Sequence, residues 1–263
     1  MVLFRGDIKC KSLQRRTSLS VILPADNIHY LQGTEEIAEK PYKTLYLLHG
    51  LFGSDDIFLA NTTIQKFAED HNIAVVLPSG ENSFYVDQKE SHKYYGEFIG
   101  RELVEMTRNI FPLSHKKEDT YLAGFSMGGY GAIRNGLKYY DTFGYIGAIS
   151  AALLTDDLHN WGEGDDLLSS RSFAQSCFGD LNKVIGSDMD PKFLIDDLID
   201  NDIEIPKIFM AVGDNDFLYG ENIDYYNYLK SRNVDVEFRC SSGEHTWEFC
   251  NDYIKEFIEW LPL

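Results

Sequence analysis

The chain has 263 residues, long for one domain but within the range of a single α/β unit, and its 44% hydrophobic and 14% aromatic content can fill a large core, which excludes disorder. Its formal net charge of −18 excludes the basic surfaces that hold nucleic acid or an anionic membrane, and the acidity itself reads as solubility. No apolar run reaches the roughly 18 residues of a membrane span. The N-terminal residues 1–7 lack the basic and apolar regions of a signal peptide. Cys10, Cys177, Cys240 and Cys250 are scattered and show no zinc spacing. The sequence therefore reads as a cytoplasmic protein with reduced thiols and no metal.

Apolar, β-prone runs recur along the chain with helical stretches between them. The first, residues 18–23, alternates Leu19, Val21 and Leu23 with polar neighbours, as an antiparallel edge strand does. The next, 44–48, is continuously apolar and runs into His49-Gly50-Leu51-Phe52-Gly53, a glycine loop whose backbone can approach a substrate closely. A third run covers 73–77. Ile99, Leu103, Met106 and Ile110 then recur at helical spacing until Pro112 ends the segment.

Residues 120–123 read as a buried strand and lead into Gly124-Phe125-Ser126-Met127-Gly128-Gly129, after which a helix is expected to about Tyr139. A serine between glycines at a sharp strand-to-helix turn is the pattern of a nucleophile elbow. A G-x-S-x-G arises by chance in about one chain in ten of this composition, and a serine here could simply cap the helix, so the surrounding pattern matters. After a strand at 145–149, the interval 151–205 is too long for a bare crossover helix. It carries Trp161, an acidic pair at Asp165 and Asp166, and a polar loop at 182–190, and reads as a lid-like insertion or a solvated excursion.

The strand at 208–212 is followed by Gly213-Asp214-Asn215-Asp216-Phe217, and the strand at 234–239 by Gly243-Glu244-His245-Thr246-Trp247. An activated serine needs a base, and the base an orienting acid, in the order Ser, Asp or Glu, His for an elbow enzyme. His245 fits the general base. Spacing leaves Asp214 and Asp216 equivalent as the acid, the other serving the turn. His29, His71, His92 and His115 lie in polar surroundings and read as surface residues, His49 as structural, and His159 as a residue that could line the site. The oxyanion needs two amides: Met127, next after the serine, and Leu51, with Phe52 beside it to be tested. Helices are expected at 220–232 and 247–260. Strands alternating with helices imply a mostly parallel central sheet with helices on both faces, in one α/β domain spanning 1–263.

Tyr46-Leu-Leu-His-Gly-Leu51, Phe84-Tyr-Val-Asp87, Gly124-Phe-Ser-Met-Gly-Gly-Tyr-Gly131, Gly213-Asp-Asn-Asp-Phe-Leu-Tyr219 and Gly243-Glu-His-Thr-Trp247 occur in this order. Together they resemble the esterase D family of α/β-hydrolases, most closely its bacterial tributyrin and acetyl esterases. The likeness covers about 45–260 and is weakest in the insertion and at the N-terminus. It implies the α/β-hydrolase fold, with the insertion between the sixth and seventh core strands, and it places the acid on Asp216.

The resemblance also implies hydrolysis of short acyl esters without cofactor or metal, by a protein that associates as dimers or tetramers. The triad is then Ser126, Asp216 and His245, with Phe52, Tyr85, Trp161, Phe217, Tyr219 and Trp247 as candidate walls of an aromatic pocket. The family also holds S-formylglutathione hydrolases and feruloyl or acetylxylan esterases, whose shared triad leaves the substrate open. Outside the class, the alternative is a catalytically silent binding module.

Overall fold

A computed structural model describes residues 1–25, 41–164 and 170–263; His29 and the Asp165-Asp166 pair lie outside the described residues. Eight strands form one sheet: β1 (Val2–Cys10), β2 (Arg15–Leu23), β3 (Thr44–Leu48), β4 (Ala74–Pro78), β5 (Thr120–Phe125), β6 (Tyr145–Ile149), β7 (Lys207–Gly213) and β8 (Val236–Ser241). Their order across the sheet is β1-β2-β4-β3-β5-β6-β7-β8. Strands β4 to β8 in that order run parallel, while β1 and β2 are antiparallel additions. This is the α/β-hydrolase fold.

Strand β2 is not the edge. It pairs with β4 on one side and with β1 on the other. Its alternation is real but does not mean solvent on one face. Leu19, Val21 and Leu23 enter one core layer, while the hydroxyls of Ser18 and Ser20 donate to the Asp55 carboxylate at 2.5 and 2.6 Å. A bonded serine costs little to bury, so the polar face is covered as well.

Each central strand feeds both faces by alternation. In β3, Tyr46 and Leu48 join the larger core layer, and Leu45 and Leu47 the smaller one. The larger layer is roofed by α3 (Leu103–Ile110), α4 (Met127–Lys138), α5 (Arg171–Phe178), α6 (Pro191–Asp200) and α7 (Tyr219–Ser231). The smaller is roofed by α1 (Ile57–Asn61), α2 (Ile64–Asp70) and α8 (Trp247–Trp260). Helix α8 buries Phe249, Cys250, Tyr253, Ile254, Phe257 and Ile258, its large apolar side chains each worth about 1.5–3 kcal/mol of transfer free energy.

The helical stretch before Pro112 contains a π-turn, Phe98–Glu102, ahead of α3. The extra residue per turn rotates the buried face. Ile99 and Leu103 are buried as their spacing predicts, but Val104 and Thr107 follow them inward, and Ile110 is 58% exposed.

The long excursion after β6 is only partly an insertion. Its last part, α6, is the crossover helix that packs on α4 through Leu194, Ile195 and Leu198. Asp190 caps that helix by accepting from the Lys192 N–H, with Pro191 in its first turn. The parallel pairing puts the carboxyl ends of β3, β5, β6, β7 and β8, at Leu48, Phe125, Ile149, Gly213 and Ser241, at one end of the sheet. Every loop singled out for chemistry therefore leaves from the same edge.

Candidate active site

Strand β5 ends at Phe125, and α4 begins at Met127, leaving Ser126 alone in the turn with φ 59° and ψ −119°. Its N–H donates to Ile149 O at 2.9 Å, and its carbonyl accepts from the Ala152 N–H at 3.0 Å and the Tyr130 N–H at 3.2 Å. The turn is so tight that a Cβ at position 124 would fall 2.2 Å from Gly128 O, and one at 128 would fall 2.0 Å from Leu48 O. Only glycine fits at either flank.

After β7, Asp216 is 5% exposed and its Oδ1 accepts from the Leu218 N–H at 2.8 Å. His245, between β8 and α8, presents Nδ1 to both Asp216 oxygens, at 2.9 Å to Oδ2 and 3.1 Å to Oδ1. Burial raises the Asp216 carboxyl, but the bonds to His245 and the Leu218 amide outweigh it, and the group is held below the usual carboxylate range. With Nδ1–H donated to a carboxylate, Nε2 is the basic nitrogen. The imidazole lies 4.5 Å from the Phe125 ring at an interplanar angle of 24°, so it is stacked on the residue directly before Ser126. Phe217 meets its other surroundings at 4.6 Å.

Asp214 does something else. Its Oδ1 accepts from the Gly243 N–H at 3.1 Å and the Asn215 side chain at 2.9 Å, bracing the Asp loop against the His loop. Of the two aspartates that spacing leaves equivalent, Asp216 is the one bonded to His245.

The glycine loop after β3 lies against the serine: a Cβ at position 50 would sit 3.2 Å from Ser126 Cβ and 3.8 Å from its Oγ. His49 anchors that loop from beneath. Its Nε2 accepts from the Gly80 N–H at 2.8 Å, so Nδ1 carries the proton and donates to Gly50 O at 2.6 Å. Burial holds this imidazole below its ordinary range, which keeps it neutral and structural. The Phe52 N–H is already engaged, donating to Asn82 Oδ1 at 2.9 Å. The Met127 N–H is the first of α4, where the amides have no intrahelical partner.

The expected aromatic pocket divides. Phe217, 60% exposed, lies against the imidazole, and Trp247 packs at 5.3 Å on Phe125, the ring on which that imidazole is stacked. Phe52 is 80% exposed on the glycine loop and Tyr219 37% exposed at the start of α7. Tyr85 is not a wall. It is fully buried, and its hydroxyl donates to His49 O at 2.9 Å, so it supports the glycine loop from inside the core. The left-handed backbone at Phe84 and Tyr85 turns both rings inward.

Trp161 lies farther out, in a cleft of about 450 Å³ that it shares with Leu153, Asp156, Asp157, Lys192, Glu221 and Asp224. That cleft starts at Leu153, next to the Ala152 amide bonded to Ser126. His159 is exposed on the excursion, and His71, His92 and His115 lie outside this group. Asn82 was not singled out by the sequence, although a Gly80-Glu-Asn82 turn at the carboxyl end of β4 is a signal for such a residue.

The family model described as "Putative esterase" matches residues 10–259. The chain is 41% identical over 262 residues to an acetyl esterase of Caldicellulosiruptor saccharolyticus, covering 99% of this chain and 98% of that one. Among solved structures, it is similar to the fluorophosphonate-binding serine hydrolase F of Staphylococcus aureus, with TM-score 0.85 and 32% identity over 99% of this chain and 98% of that one. An S-formylglutathione hydrolase of the same organism matches at TM-score 0.84 and 32% identity, with the same coverage of both chains. Among the described residues, no helix is long and apolar enough to cross a membrane.

Proposed function

Because the chain belongs to the Esterase family and is a serine hydrolase of carboxylic esters, we propose that Ser126 is its nucleophile, His245 its general base and Asp216 the acid that orients the base. The observation that carries this reading is the two-oxygen grip of Asp216 on His245, with the imidazole stacked on the residue before the elbow serine. His245 Nε2 takes the Ser126 proton as Oγ attacks the ester carbonyl, and the same proton then passes to the leaving alcohol. The Met127 and Leu51 amides hold the oxyanion. Water, activated by His245, repeats the sequence on the acyl-enzyme and releases the acid.

We propose a short acyl group, acetyl first, supported by the 41% identity to an acetyl esterase. The silent-module alternative is set aside, since the chain is an enzyme. A thioester substrate is the second reading, favoured by the likeness to an S-formylglutathione hydrolase. Against it stands the cleft that begins beyond Ala152, lined by Asp156, Asp157, Glu221 and Asp224 with one lysine, Lys192, already paired with Asp156. Glutathione brings two carboxylates, and like charges oppose their entry. The same proposal holds one catalytic domain over 1–263, with the excursion at 151–205 forming a wall of the cleft. It includes a cytoplasmic site of action and association into dimers or tetramers, read by cell fractionation and light scattering.

Turnover on p-nitrophenyl acetate, butyrate and octanoate, compared with S-formylglutathione and acetylated xylan, tests the substrate. We expect kcat/KM to be highest for acetate or butyrate and to fall for octanoate. A higher kcat/KM for S-formylglutathione or for acetylated xylan overturns the acyl ester reading.

A further inference from the structure

Phe52 is left-handed, φ 63°, although it carries a Cβ, and such a conformation persists only where something holds it. Its ring cannot do so, being 80% exposed. The main chain does. The Phe52 N–H donates to Asn82 Oδ1 at 2.9 Å, across 30 residues of sequence, and the Gly53 N–H closes on Gly50 O at 3.3 Å. Only the oxygen of a carboxamide can accept from an N–H, so this bond also sets which way Asn82 points.

Asn82 is itself firmly seated. Ser83 Oγ donates to Gly80 O at 2.6 Å and accepts from the Tyr85 N–H at 3.0 Å, closing the turn around it. Its carbonyl accepts from the Cys177 thiol of α5 at 3.2 Å, and burial lifts that thiol to about 11, so it keeps its proton. The same segment meets the glycine loop at two more points, Gly80 N–H on His49 Nε2 and Tyr85 O–H on His49 O.

We propose that Asn82 is a positioning residue for the oxyanion donor: by occupying the Phe52 N–H it fixes the loop so that the preceding amide, Leu51, is the one presented beside Ser126. Asn82 touches no substrate atom in this role and acts through Phe52. The inference rests on the roles given above to Ser126, Leu51 and Met127.

Asn82→Leu keeps the side-chain size and removes the acceptor. It should lower kcat for p-nitrophenyl acetate about 10- to 100-fold with KM within about twofold, the signature of an interaction realised in the transition state. Affinity for butylboronic acid, whose serine adduct places a charged oxygen where the oxyanion forms, should fall by the same factor. An unchanged kcat, or an unchanged boronate affinity, overturns the proposal. In the unsubstituted protein, the Phe52 N–H should exchange with solvent more slowly than a free exposed amide. Exchange at the free rate overturns the bond itself, whatever the variant does. Ser126→Ala separates the two levels: if it retains turnover, the underlying triad assignment fails, independently of Asn82.

Discussion

Asp216 holds His245 with both carboxylate oxygens, at 2.9 and 3.1 Å from Nδ1, while the carboxylate of Asp214, two residues earlier, accepts from the Gly243 N–H and the Asn215 side chain. Asp216→Asn replaces one acceptor oxygen with an N–H₂ and favours the wrong imidazole tautomer, so kcat on p-nitrophenyl acetate should fall about 10⁴-fold, the scale known for such a change in serine proteases. Asp214→Asn should stay within about threefold of the parent, since it touches neither the base nor the serine. Equal losses in the two variants would contradict the assignment.

A carboxyl lowered in the folded state stabilises the fold above its unfolded value, about 4, and that contribution is lost as the pH falls through the lower folded value. Asp216 is such a group, its burial outweighed by the bonds from His245 and the Leu218 amide. The stability gap between the parent and Asp216→Asn should therefore narrow between pH 5 and pH 3. Both points lie below the range in which histidines ordinarily titrate. Urea midpoints at the two pH values measure it, and a constant gap would refute the linkage.

Arg134 is fully buried on α4, with Nη2 2.6 Å from Asp188 Oδ2 and Nε 2.8 Å from Asp188 O. Asp87 is the next carboxylate, 3.8 Å away. Asp188→Ala leaves a buried guanidinium without a closely paired anion and should cost about 3 kcal/mol. Urea denaturation reads this directly. A loss under about 1 kcal/mol would show that Asp87 takes over the pairing.

Gly128→Ala drives a methyl group into the Leu48 carbonyl, a backbone atom that cannot yield, and should lose fold and activity together. Gly220→Ala, in the first turn of α7, meets nothing within 4 Å and should keep full turnover while raising stability by about 0.5 kcal/mol. Thermal melting of the pair, with p-nitrophenyl acetate turnover, provides the check.

What the sequence revealed was periodic or punctuated. The elbow, the two later loops and α8 were visible because continuous apolar runs end at glycines, and the sheet then sets those ends in one row. Strand β1 was not read from the sequence: Phe4, Ile8 and Cys10 alternate with Arg5, Asp7 and Lys9, but Gly6 interrupts the apolar series, and its pairing with β2 from Val2 with Leu23 to Cys10 with Arg15 defines it. The π-turn at 98–102 leaves no periodic mark, so the inward turn of Val104 and Thr107 could not be foreseen. Buried Arg134 reads as a solvent-facing charge until Asp188 is brought to it from 54 residues away. Tyr85 was misplaced because its inward turn depends on a left-handed backbone at a non-glycine residue. Asn82 and Phe52 meet only through that folded turn.

The backbone at Ser126, φ 59° and ψ −119°, suits glycine best, yet the nucleophile proposed for this position requires a side chain there. Such a position costs about 1–3 kcal/mol, borne by the bonds of Ser126 to Ile149, Ala152 and Tyr130. Ser126→Gly should accordingly melt a few degrees higher than the parent while hydrolysing nothing, whereas Ser126→Ala should lose activity without that gain. A Ser126→Gly protein more durable than its parent would show that the position trades stability for a side chain at the turn.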